Sequence, residues 1–268
     1  MSVQLTGLKC EDYTHPLETE AIKALEAVPL LKRMVGEMND QTYRIYLRTN
    51  ILGSCLKLTE NTAPKVYHTV KQVCETLDYE SVPDIYVKRE LSVYVTPYGF
   101  ENPVLVLPNV ILEKPEKIFQ FSVGRGISLL KSGHIQFYTL ARLVYQGANT
   151  LLPDTVNSVL SSSLIAWMRK SEISADRGGL LACQDYDAAM KLLMFKAGVE
   201  ISGTDVITAQ EYIEEHDRDL RESGILSKAG RFFRNVGSTT GLNNDRIKEL
   251  YAWYMQGGYD DLIEKYGD

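Results

Sequence analysis

Cysteine pairs, long apolar runs and surplus positive charge are all missing from this sequence. Its 268 residues hold four cysteines, Cys10, Cys55, Cys74 and Cys183, with no C-x-x-C pair among them. In a chain of this size, scattered cysteines read as free thiols rather than as a disulfide framework. A membrane-spanning helix needs an uncharged apolar stretch of about 18 residues or more. The longest candidate, "TVNSVLSSSLIAWM", is shorter and rich in serine. The opening "MSVQLTGLKCEDYTHPLE" has no basic segment followed by an apolar core, so no signal peptide is expected. Lys and Arg total 29 against 35 Asp and Glu, a net charge of −6, which advertises no basic face for nucleic acid. No internal repeat or low-complexity linker is visible.

What is present is ordinary for a globular chain: 44% apolar and 24% charged residues, enough to bury a full core. A single domain over residues 1–268 is expected, with an N-terminal segment, 1–80, packed on an 81–268 core. The expected location is cytoplasmic. Nothing in the sequence excludes contact with a membrane surface, and the oligomeric state is left open.

Residues 15–39 place Leu17, Ile22, Leu25, Val28, Leu31 and Val35 at helical spacing, as one helix or a pair broken at Pro29. Residues 43–59 alternate in the manner of extended structure. "NTAPKVYHTVKQVCETLD" reads as a helix capped by Asn61 or Thr62, with Val66, Val70 and Val73 on one stripe. Three β-rich runs follow, "DIYVKR", "LSVYVTPYG" and "NPVLVLPNV". Beyond Pro115 the pattern is helical over 116–133, 135–148, 154–169, 171–187, 187–199, 206–216 and 244–264. Residues 227–245, rich in Gly, Ser and Asn, read as a surface loop. Strands grouped before helices make an α+β layout with a small sheet of about three strands.

The helix "FQFSVGRGISLLKSGHIQF" carries two glycines, Gly124 and Gly126, each unfavourable by about 1 kcal/mol relative to alanine. "VGRGISLL" is not a dinucleotide fingerprint, because Leu129 stands where a third glycine belongs. Nor is it a P-loop, because no G-K-[ST] follows. Read together with "WMRKSEISADRGGLLACQD" (167–185), the chain resembles the HtpX-type and prenyl-protease-type zinc metallopeptidases, the gluzincins that include abylysin. The resemblance extends to "EDYTHPLE", "ENPVLVLPN" and "DRIKELYAWYMQGGYDDLI". It implies a zincin-like α+β fold with a small sheet beside a central cleft.

In that family one helix carries His-Glu-x-x-His and a second supplies a glutamate as third zinc ligand. The matching positions here are Arg125 and Leu129 for the histidines and Gly126 for the glutamate. None of the three side chains can do the work. Two histidines one turn apart give zinc neutral nitrogens and the glutamate activates the bound water, whereas an arginine is always protonated. Glu172 matches the third ligand, with Asp176 one turn on. Thr240 stands near a histidine that assists catalysis in the family, and Arg246 matches the arginine that follows it. His134 lies nine residues beyond Arg125, about 900° of helical rotation away and so on the opposite side. His15, His68 and His216 fall in other segments.

The resemblance therefore implies a pseudopeptidase: no zinc, no cofactor, and a role in binding a protein or peptide, as a scaffold or assembly subunit. The rival expectation is a peptidase with a non-standard or partner-supplied ligand set. Arg125 is expected to pair with Glu172, bracketed by Asp176. Gly126 reads either as a packing glycine or as drift at a disused position. Tyr94 and Val95 stand where the family usually has Asn-Ala on a peptide-binding strand, and they read either as a ligand edge or as a half-buried strand.

Overall fold

A computed structural model describes residues 2–37, 45, 48–49, 53–98, 102–145, 158–199, 208–222 and 243–267. The helices are α1 (Cys10–Tyr13), α2 (Pro16–Glu26), α3 (Pro29–Glu37), α4 (Pro64–Thr76), α5 (Glu116–Lys131), α6 (Ile135–Tyr145), α7 (Ser158–Cys183), α8 (Tyr186–Lys196), α9 (Ala209–Glu222), α10 (Asn243–Met255) and α11 (Gly258–Tyr266). The strands are β1 (Leu56–Leu58), β2 (Asp84–Lys88), β3 (Thr96–Tyr98) and β4 (Val104–Pro108). The chain is mostly helical with one small mixed sheet, an α+β arrangement.

The sheet has four strands rather than three, in the order β1-β2-β4-β3. Only β2 and β4 run parallel. The extra strand comes from the 43–59 stretch, where Leu56–Leu58 pairs with β2 while Gly53 and Ser54 just before it are helical. Conversely, "LSVYVTPYG" keeps only Thr96–Tyr98 as strand, so Tyr94 and Val95 precede β3. Leu105 and Leu107 of β4 join the main core, while Val104 and Val106 point to the other face with Tyr86. That alternation is the two-residue period of a strand buried on both faces.

Helix α5 is the axis of the molecule. Thirteen consecutive residues, Ile118 to Leu130, are buried. Packing on every side overrides the weak helix propensity of its glycines, which act on opposite flanks. At about 100° per residue, positions 124 and 126 differ by about 200°. A Cβ on Gly124 would meet Ala182 Cβ at 2.3 Å and Gly179 Cα at 3.2 Å, on α7. A Cβ on Gly126 would meet Leu105 Cδ2 and Val95 Cγ1, each at 3.1 Å, on the sheet side. Gly126 is thus a packing glycine. Gly178 answers from α7, where a Cβ would fall 2.5 Å from Ser128 Cβ. Glycines on both partners let α5 and α7 approach closely at this crossing.

Three expected boundaries move, each for a local reason. The two helices expected over 154–187 are one, α7, because "MRKSE" holds no helix breaker and Ser171 Oγ donates to Met168 O (2.8 Å) within the helix. The real stop is at Gln184, with φ of 50°, after which Asp185 caps α8 by accepting from Ala188 N (2.9 Å). The expected helix 244–264 divides at Gly257, whose φ of 84° suits glycine. Around Pro29 the pair α2–α3 forms, and Leu17 is exposed rather than packed. Helix α4 starts from Ala63 and Pro64, while Thr62 bonds back to Thr59. Most of the expected loop, residues 227–242 with Thr240, lies outside the described residues.

Candidate functional site

Four charged side chains meet in the core where α5, α7 and α10 converge. Arg125 comes from α5, Glu172 and Asp176 from α7, and Arg246 from α10. All four are between 0 and 3% exposed. The four-residue spacing of Glu172 and Asp176 stacks both carboxylates on one face of α7. On that same face a Cβ at Gly179 would sit 2.7 Å from Arg125 Cγ, so the glycine leaves room for the arginine stem.

The Arg125 guanidinium straddles both acids. Its Nε donates to Asp176 Oδ1 (2.6 Å) and its Nη2 donates to Glu172 Oε2. Arg246 grips Asp176 from the other side, with Nε to Oδ2 at 2.7 Å and Nη2 to Oδ1 at 2.5 Å. Its Nη1 lies 3.8 Å from Glu172 Oε2. Tyr138 of α6 completes the acceptor side by donating its hydroxyl to Glu172 Oε1 (2.6 Å). Every carboxylate oxygen is therefore taken. Two positive and two negative charges balance, the condition under which buried ions are tolerated.

Titration follows this geometry. Burial alone would raise the Glu172 carboxyl, but Arg125, Arg246 and the Tyr138 hydroxyl together hold it below the ordinary range. Burial likewise opposes the charge on Arg125, and Arg246 repels it, yet Asp176 and Glu172 leave Arg125 more firmly protonated than usual. Both arginines stay charged and Glu172 stays ionised at any physiological pH.

The Tyr94 ring covers the quartet. Arg125 Cζ lies 3.9 Å and Arg246 Cζ 4.6 Å from its centroid, so two cations share one aromatic ring. Tyr94 and Val95 are 7% and 4% exposed, and their backbone is held inward. Val95 N donates to Ser122 Oγ (3.0 Å), and Ser122 Oγ donates to Val93 O (2.8 Å). These groups already have partners on α5, so the edge expected for strand addition is closed at this point.

Arg125, Glu172, Asp176, Arg246 and Tyr94 are thus brought together; Gly126 and Val95 lie behind them, and Leu129 is buried in the apolar core. The histidines stay apart. His134 is not on the far side of a continuing helix: α5 ends at Lys131, Gly133 turns with φ of 73°, and His134 pairs with Glu26 (3.5 Å). His15 caps α2 through Nδ1, which fixes its proton on Nε2 facing Glu249 (3.3 Å). His216 lies against Asn244, and His68 is on the exposed face of α4.

The donor set does not suit zinc. A guanidinium occupies the space between the two carboxylates and offers no lone pair. Among the described residues no three metal-ligating side chains cluster anywhere.

Two residues of consequence escaped the sequence reading. Tyr138 sits in an apolar helical stretch without a motif. Glu18 carried a signal: it shares a stripe with Ile22 and Leu25 on α2, and all three are buried. Burial and the nearby Glu172 raise its carboxyl to about 7, against the pull of Ser174 and His15. Its Oε2 has no hydrogen-bond partner among the described residues. Because the folded value lies above the ordinary 4.5, folding takes up a proton between those two pH values. Stability from this group is greatest at acid pH and is lost as pH rises toward and through 7, by about 3 kcal/mol in all. Glu18→Gln should therefore raise the melting temperature at pH 8 by roughly 5 °C and leave it nearly unchanged at pH 4.5. A constant offset between the two proteins across that range would refute the assignment.

The chain is 25% identical, over 96% of its own length and 76% of the other's, to a protein of Arabidopsis thaliana named plastoglobule-localized metallopeptidase 48, chloroplastic. No family model and no solved structure matches it.

Proposed function

We propose that this chain is a catalytically inactive relative of the gluzincin metallopeptidases, with a zincin-like fold, that works by binding a protein or peptide. The observation that carries the reading is the position of the Arg125 guanidinium. It lies between Glu172 and Asp176, at the place in the chain where the resemblance puts the first zinc ligand. The arginine supplies the positive charge that keeps two acids buried, and the framework of helices survives around it. The distant likeness to a metallopeptidase across nearly the whole chain supports the ancestry. Loss of the ligand set supports the loss of hydrolysis.

The test is elemental analysis of purified, tag-free protein beside a casein hydrolysis assay. Zinc below about a tenth of an equivalent after dialysis, with no cleavage, is the expected result for a site short of ligands. One tightly held equivalent of any transition metal with measurable cleavage would overturn the reading in favour of a peptidase with an unusual ligand set. The relative is named as chloroplastic and plastoglobule-localized, so a cytoplasmic setting for this chain stays part of the proposal, and cell fractionation decides it.

A further inference from the structure

The last two helices and the start of α8 gather tyrosines at the surface. Gly257 turns the chain between α10 and α11 and folds Tyr259 back toward Tyr254, with their ring centroids 5.6 Å apart. Tyr186, the first residue of α8, stacks on Tyr254 at 4.2 Å with 23° between the ring planes. Tyr251 stands one turn before Tyr254 on α10, and its hydroxyl acts on that of Tyr186. All four tyrosines pack against the hydrophobic core and stay partly exposed. Among the described residues, none of their hydroxyls has a hydrogen-bond partner. Nor does a described cation lie over any of these rings; such contacts fall elsewhere, on Tyr94, Phe195 and Trp253 among others.

The charge around these rings has one sign. Asp187 acts on Tyr186 and Asp260 on Tyr259, and both acids are exposed. Neither has an ion-pair partner among the described residues. Asp185, also near Tyr259, is engaged in capping α8. Burial first, then these neighbours, push both hydroxyls up, that of Tyr259 to about 12, so the phenols stay neutral at physiological pH.

We propose that this tyrosine ledge, rimmed by Asp187 and Asp260, docks an arginine-bearing segment of a partner protein. Half-exposed tyrosines offer broad, rigid contact area at low entropic cost, which is why they are frequent in recognition surfaces. Rings stacked 4.2 Å apart leave no room between them, so they form no cage for a compact trimethylammonium. A guanidinium is flat: it lies against a ring and keeps its N–H groups for the carboxylates and phenol oxygens. A lysine ammonium answers the acids without stacking, and a proline-rich segment covers the rings but leaves both acids unanswered. This deepens the binding reading and rests on it, while using none of the ionic quartet. Tyr254 stands eight residues beyond Arg246 on α10, about 12 Å along the axis.

The experiment uses the whole protein and three fluorescein-labelled peptides, each four repeats of Gly-Ser-Arg, Gly-Ser-Lys or Gly-Pro-Pro. Anisotropy titrations should show the arginine peptide binding about fivefold tighter than the lysine peptide, the scale of one exposed guanidinium–ring contact. The proline peptide should not bind. Asp187→Asn combined with Asp260→Asn should weaken arginine binding about threefold and leave the melting temperature unchanged. Tyr186→Leu should erase the preference for arginine over lysine, whereas Tyr186→Phe keeps the ring and should keep the preference.

Equal affinity for the arginine and lysine peptides would overturn the proposal, since general attraction to an acidic chain would explain it. So would no binding of either, a proline peptide that binds as well, or an intact preference in Tyr186→Leu. If Tyr186→Leu fails to fold, unchanged affinity in the doubly substituted Asp variant refutes it instead. A dimer in sedimentation that Tyr186→Leu dissociates would assign the face to a second copy and also refute it. The metal analysis fails separately. Zinc with cleavage would end the inactive reading and leave the peptides to judge this face; no zinc with equal peptide affinities would end this assignment alone.

Discussion

Replacing Arg125 with methionine should lower the melting temperature by about 10 °C, which corresponds to roughly 3–5 kcal/mol for a chain of this size. Methionine fills a similar volume and keeps the apolar stem, so the loss isolates the guanidinium. Without it, Glu172 Oε2 loses its closest donor and Asp176 Oδ1 keeps only Arg246. Two acids then face one remaining cation in a site that water does not reach. Glu172 would respond by holding a proton, because burial, no longer offset by Arg125, drives its carboxyl upward. The variant should therefore be least stable at high pH and recover part of the loss as pH falls toward the ordinary carboxylate range.

A second change distinguishes charge balance from packing. Adding Glu172→Gln to Arg125→Met removes one negative charge for the positive charge removed, while the amide still accepts from Tyr138. The double variant should melt several degrees above Arg125→Met alone, a coupling of roughly 1–3 kcal/mol between groups in direct contact. Differential scanning calorimetry at pH 5 and 8 reads both effects. Additive losses, or no loss in the single variant, would mean that the quartet contributes little and that the arginine does not stand in for a cation.

The quartet shows what a single sequence can and cannot reveal. The pairing of Arg125 with Glu172 and Asp176 was legible because a charge at a position expected to bind a metal has to be answered locally. The spacing of the two acids supplied the face. Tyr94 was visible as a departure from a pattern, but its place over two guanidinium groups was not. That depends on where β3 begins, which is set by the pairing of Thr96 with Val106, a tertiary register that periodicity does not encode. Tyr138 was hidden for the opposite reason: a tyrosine in an apolar helix looks like packing, and its hydroxyl acquires meaning only when α6 lies beside α7. The alternation of residues 43–59 made extended structure legible there, but not that only Leu56–Leu58 would pair with β2 as a fourth strand, because strand pairing is a tertiary contact that periodicity does not encode. The continuity of α7 across Lys170 was not legible from periodicity, although no breaker residue stands there to separate the two expected helices.

The glycines bear on the second large effect. Gly124→Ala should destabilise the protein by about 3 kcal/mol, although alanine is the better helix former by about 1 kcal/mol. The new methyl would lie 2.3 Å from Ala182 Cβ and 3.2 Å from the Gly179 backbone. Helix α7 would have to move away from α5 to admit it. Retreat of α7 draws Glu172 and Asp176 away from Arg125, so this apolar substitution weakens the ionic centre as well. Ala182→Gly removes the atom that makes the closest clash. Combined with Gly124→Ala it transfers the methyl from α7 to α5, and the pair should regain most of the lost stability, short of full recovery because the Gly179 contact remains. Urea denaturation of the three variants measures this directly. Full tolerance of Gly124→Ala on its own would show that the two helices are free to separate, and that the close crossing is not what holds the four charges together.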